Sequence, residues 1–256
     1  MTVSSRGVAI AGIAILIGML IIGATPIQSS WRWVIIAILM VIFLALIGKD
    51  VNKRWTGILI DERKKMSLSR FQIIIWTVII VSAFFTIAIV RIQAYAANPK
   101  EVVDPLAIGI PWELWALLGI SSASLVGSPL IINEKKQRNP DQAKLQRKYN
   151  AAFANAMINS SEGIVAVNKY NSEAKFINKF MGDETGNNRH VDMSKVQMFF
   201  FTIISASSYA VLLFVMLFGT TIPKDLPVLP AGLLALLTIS HGAYLTGKTV
   251  NHTPTS

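Results

Sequence analysis

Six runs of apolar residues, each near twenty positions long and free of Asp, Glu, Lys and Arg at their centres, dominate this chain of 256 residues. A run of that length matches the bilayer core, and a segment in lipid must satisfy its own backbone hydrogen bonds, which makes it a helix. The runs fall at about 8–24, 33–48, 71–90, 112–132, 196–218 and 230–247. Only 15% of the residues are charged and 53% are hydrophobic, where a soluble domain carries about 25% charge. The pattern predicts an all-α fold, a six-helix transmembrane bundle.

The first run, with Arg6 before it, has the form of a signal peptide. A second run follows a short loop containing Pro26, so the two read as a retained hairpin over 1–50. The net charge of +10 suggests nucleic acid, but its placement gives a better account. With the N-terminus in the cytoplasm, 20 of the 24 Lys and Arg residues fall inside, in Arg6, 49–70, 133–195 and Lys248. Only Arg32, Arg91, Lys100 and Lys224 fall outside. The positive-inside rule then places both termini in the cytoplasm. Trp31, Trp33, Trp112 and Trp115 lie at the outer boundary and Trp55 near the inner one. Expected partners are lipids, including anionic lipid at the inner face, and not nucleic acid.

Part of the chain repeats. Ser69-Arg-Phe-Gln72 before an apolar run returns as Ser194-Lys-Val-Gln197, and 111–121 is echoed by 230–240. The segments 51–132 and 191–248 therefore read as tandem parallel repeats of a two-helix unit. A connector at 133–190 separates them and a tail at 249–256 follows. Ser-x-x-Gln before an apolar run is a capping box, so Ser69, Gln72, Ser194 and Gln197 are expected to cap helices at the water boundary. A ligand-binding role for the two Gln side chains is the alternative.

Candidate polar positions lie within the spans. Ser121, Ser124 and Ser128 form one stripe, Thr202, Ser205 and Ser208 or Tyr209 another, and Ser240, His241 and Tyr244 are further candidates. Each reads as packing or as the lining of a pore. His241, matched by depth to Thr202 and Ser205, is expected to bond one of them or a nearby carbonyl. Gly119, Ala123 and Gly127, and Thr238, Gly242 and Thr246, have the small-xxx-small spacing of close helix contacts, within a subunit or between subunits. In the connector, 140–160 looks helical, 163–167 suits a strand or buried loop, and 176–181 has the spacing of a helix on the membrane face. Asp183, Glu184, Asn187 and Asp192 form an acidic turn that would either favour a helix N-terminus or hold a hard cation.

No phosphate loop, carboxylate pair with a base, or Ser/His/Asp order is visible, and the chain has no cysteine. No enzyme, cofactor or metal is expected. The segments 180–187, 192–202 and 239–245 with Lys248 resemble a family of bacterial integral membrane proteins of uncharacterised function. Where that family more often has Gly before Ile-Ser-His, this chain has Thr238. The resemblance implies a bacterial inner-membrane protein and nothing about activity. Two functions remain: a homo-oligomeric channel for ions or small solutes, and a scaffold or anchor that binds a protein partner through 133–190.

Overall fold

The computed structural model describes residues 5–100 and 102–256. Its helices are α1 (Ser5–Ala24), α2 (Ser29–Asn52), α3 (Leu68–Ala97), α4 (Trp112–Lys136), α5 (Gln142–Lys148), α6 (Ala151–Asn159), α7 (Met193–Phe218) and α8 (Ala231–Thr249). A two-stranded hairpin, β1 (Ser161–Glu162) with β2 (Val165–Ala166), interrupts them. The Arg6 side chain, counted above among the inner charges, lies outside the described residues.

Among the described residues, five helices are long and apolar enough to cross a membrane: Gly7–Ala24 within α1, then α2, α3, α4 and α7. The expected sixth, α8, is helical but not among them. His241, Tyr244, Lys248 and several Ser, Thr and Gly residues dilute its apolar content.

In the connector, 140–160 forms two short helices rather than one, parted at Tyr149–Asn150. Asp141 caps α5 by accepting from the Lys144 amide at 3.0 Å. The run at 163–167 supplies β2. Gly163 takes φ +58° in the hairpin turn, where an added Cβ would sit 2.2 Å from the Lys136 carbonyl oxygen. The 176–181 stretch is a 3-10 turn, Phe176–Phe180, and not an α-helix.

The chain packs as two compact units. One comprises the chain up to Ile58 with Ile74–Leu118 and Ile203–Leu234. Here the Trp33 indole donates to Ser82 Oγ at 2.8 Å, and Trp76 packs edge-on to Tyr209 at 6.1 Å between centroids. Its buried arginines find carbonyls instead of carboxylates. Arg91 donates to Asp104 at 2.6 Å and Pro105 at 3.0 Å, and Arg32 to Thr25 at 2.6 Å. Such bonds serve the guanidinium without a counter-charge, though Arg32 Nε is buried without a partner.

The other unit comprises Leu59–Ile73, Gly119–Thr202 and Ala235–Ser256. Its apolar centre is Leu68, Met198 and Tyr244, flanked by Phe71, Phe199 and Leu245. The glycines at the small-xxx-small positions are loosely surrounded within the chain. An added Cβ at Gly119 or Gly242 would meet nothing within 4 Å, and at Gly127 only Leu245 at an ordinary 3.5 Å.

Candidate functional site: a buried polar strip in the second unit

The strip begins at the ends of α3 and α7, and both caps are displaced from their expected positions. Ser67, two residues before Ser69, caps α3: its carbonyl accepts from the Phe71 amide and its hydroxyl from the Arg70 amide. Ser69 lies inside the first turn, sharing a 3.0 Å hydrogen bond with Ser67. Asp192, two residues before Ser194, caps α7, accepting from the Ser194 amide and hydroxyl at 3.0 and 2.6 Å. A carboxylate cap also complements the positive end of the helix dipole. At the start of both helices the capping residue thus lies two positions before the serine expected to cap.

Freed from capping, Gln72 turns inward. It is fully buried, and its side-chain amide is hydrogen-bonded to His241 Nε2. The other ring nitrogen, Nδ1, lies 2.5 Å from Ser124 Oγ. A neutral imidazole offers one donor and one acceptor, which these two partners use fully. His241 therefore bonds α3 and α4, not Thr202 or Ser205 as expected. Thr202 instead donates to the Met198 carbonyl of its own helix at 2.7 Å, the usual fate of a helical hydroxyl. Gln197 does not repeat the arrangement, because it is exposed.

One helical turn on, Tyr244 and Ser128 share a 3.2 Å hydrogen bond. His241, Tyr244 and Lys248 stand at i, i+3 and i+7, on one face of α8. Contacts on α4 advance from Ser124 to Ser128 as those on α8 advance from His241 to Tyr244, so the two helices run in the same direction here. Ser121 is buried with its hydroxyl unpartnered, and Ser240 donates to the Leu237 carbonyl. Ser205 is buried and Ser208 exposed, both in the other unit.

The strip ends in ions. Lys248 Nζ, Lys195 Nζ and Arg63 Nη1 stand 2.5, 2.8 and 2.5 Å from the Asp183 carboxylate. Arg63 also pairs with Asp61 at 2.6 Å. Burial alone would raise the Asp183 carboxyl, but Arg63, Lys195 and Lys248 hold it well below the usual carboxylate range. Burial likewise opposes the Arg63 charge, and Asp183 and Asp61 more than restore it, leaving its pKa raised.

Glu184 forms the second knot. Lys135 donates to Glu184 Oε1 at 2.5 Å, while Oε2 accepts from the His252 and Thr253 amides at 2.8 and 2.6 Å. Asn187 Oδ1 accepts from the Glu184 amide at 3.0 Å. The four residues considered for a hard cation are thus engaged by protein donors: Asp183 by side-chain cations, Glu184 by Lys135 and the tail, Asn187 within the loop, and Asp192 by its cap. Among the described residues no cluster of three or more His, Asp or Glu suits a metal ion.

Sequence reasoning treated Arg63 and Lys135 only as topology charges, and gave Lys195 and Lys248 no part in a polar site. For Lys248 a signal existed, its place on the His241–Tyr244 face of α8. Chemically the strip can fix helices and loop to one another and hold charge away from water.

Five helices suited to spanning a bilayer mark the class as a multi-pass membrane protein. Compared with family models, curated proteins and solved structures, the chain has no significant match.

Proposed function

We propose that this chain is a non-catalytic membrane scaffold or anchor. In this reading it is a bacterial inner-membrane protein with six spanning helices, α8 included, arranged as a hairpin and two parallel repeats. Both termini and the connector face the cytoplasm, where the excess of Lys and Arg belongs. The motif resemblance supports the same setting. The connector at 133–190 offers itself to a protein partner.

The observation that carries this reading is the burial of the hydroxyl stripes. Ser121, Ser124, Ser128, Thr202, Ser205, Ser240, His241 and Tyr244 are each at most 5% exposed. Ser124, Ser128, His241 and Tyr244 bond across helices, and Thr202 and Ser240 bond their own. A conduction path would instead need such groups to face water.

A homo-oligomeric channel is the second reading. It draws on the exposed face of Ser208 and the open surroundings of Gly119 and Gly242, which would let copies approach. Reconstitution into liposomes separates the two. The scaffold reading expects no flux of ions or small osmolytes above that of empty vesicles, and a stoichiometric partner crosslinked to 133–190 in native-lipid extracts. Flux reduced by Ser208→Trp would overturn it in favour of the channel.

A further inference from the structure

Beside the ion cluster, in the same unit, lies a recess of about 620 Å³. That is within the roughly 300–1,000 Å³ of small-molecule sites. Lys65, Asn159, Asn168, Lys169, Glu173 and Asn188 contribute to its walls. Several of these groups are already engaged. The Asn168 amide donates to the Lys64 carbonyl at 2.7 Å, and the Glu173 carboxylate accepts from the Lys169 backbone amide at 3.1 Å. The rest are mainly donors. Among the described residues, the ammonium groups of Lys65 and Lys169 make no hydrogen bond or ion pair, and neither side-chain amide of Asn159 and Asn188 has a partner.

The local charge does not balance. Arg63, Lys65, Lys195 and Lys248 gather around three carboxylates, Asp61, Asp183 and, paired with Lys195, Asp192, which leaves about one positive charge in excess. Lys169 and Glu173 offset one another within the recess. Asp183 is already shared by three cations, and Lys65 feels it and Asp61 only as nearby charges. Burial, then the charge of Arg63, outweighs Asp183 and Asp61 and brings its ammonium down to about 8.

We propose that this recess binds a phosphate group, with Lys65 as its principal cation and Lys169, Asn159 and Asn188 as further donors. A phosphate monoester near neutral pH carries negative charge to set against this excess and offers three acceptor oxygens. Such charge-assisted hydrogen bonds are the strong ones. The phosphate is either that of a soluble compound or that of a lipid headgroup. The assignment stands independently of the scaffold reading, since a channel could carry the same site.

The test uses the full chain, purified in a non-ionic detergent without phosphate and titrated calorimetrically with inorganic phosphate and with pyrophosphate. Saturable binding is expected. Lys65→Met and Lys65→Gln should each weaken it about tenfold or more, while Lys65→Arg and the exposed control Lys53→Met bind nearly as wild type. Thermal melts without ligand establish that each variant folds. In discs containing phosphatidate, competition with pyrophosphate that Lys65→Met removes assigns the site to headgroups. Undiminished binding there assigns it to a soluble phosphate. Absence of saturable binding of both probes, or folded Lys65→Met and Lys65→Gln proteins that bind as wild type, would overturn the proposal.

Discussion

Asp183 and Lys248 are separated by 65 positions in sequence, yet the Lys248 ammonium donates to the Asp183 carboxylate at 2.5 Å. This pair ties the 180–187 loop to the end of α8. Lys195 and Arg63 tie the same carboxylate to the start of α7 and to the segment before α3. Removing the carboxylate strands three buried cations together. Asp183→Asn is therefore expected to destabilise the protein by about 3–5 kcal/mol, read as a drop in denaturation midpoint in detergent. The pH dependence has a definite sign. The folded carboxyl is held below its unfolded value of about 3.9, so its contribution is complete above that pH. It is lost as pH falls through the folded value. Wild type should therefore lose stability only below about pH 4 on this account, and Asp183→Asn should lack that loss.

His241 joins α8 to α3 and α4 through Gln72 and Ser124. His241→Phe leaves both partners buried and unsatisfied, and bonds of this type in membrane proteins are worth about 0.6–2 kcal/mol. His241→Phe should melt lower than wild type in detergent, and His241→Gln, which retains a donor and an acceptor, should recover part of the loss. Equal stability of all three proteins would show that these bonds contribute nothing.

Lys179 is buried with no hydrogen-bonding partner, its ammonium 3.8 Å from the Phe176 ring centroid and 4.3 Å from that of Phe71. Burial lowers its pKa to about 8. Unfolded, the same group keeps its proton to about 10.4. Between those values the unfolded state binds more protons, so stability should rise with pH. Lys179→Met should reduce that rise, the remainder coming from Lys65, which burial also lowers to about 8. It should also stabilise the protein near neutrality by about 1 kcal/mol, because the ring contacts only partly offset the cost of burying the charge.

The displaced caps make a paired prediction. Ser67→Ala and Asp192→Ala should each cost about 1 kcal/mol, measured by thermal denaturation. Ser194→Ala, which removes only a hydroxyl donating to Asp192, should cost less. The reverse order would restore the capping box to its expected register.

Helix positions were legible because apolar run length is a local property. The 71–90 run became α3 at Leu68–Ala97, and 196–218 became α7 at Met193–Phe218. Cap identity was less legible, since Ser67 and Ser69 both offer a hydroxyl and only the path of the preceding loop decides between them. The ion cluster was not legible. Asp183 takes partners 120, 12 and 65 positions away, and local spacing cannot anticipate such pairs. Depth along a span placed His241 level with Thr202, but depth does not fix which neighbouring helix the ring faces. Gln72 and Ser124 lie on that side.

The claim that the hydroxyl positions are internal is tested most directly by cysteine accessibility, since the native chain contains no cysteine. Ser121, Ser124, Ser128 and Thr202 would be replaced singly by Cys, with Lys175→Cys in the exposed connector as a positive control. Each reconstituted protein would then be treated with a charged, water-soluble thiol reagent. The expected result is rapid labelling at 175 and none at 121, 124, 128 or 202. Rapid labelling at 124 and 128 in a folded protein would place water along the strip and contradict the account.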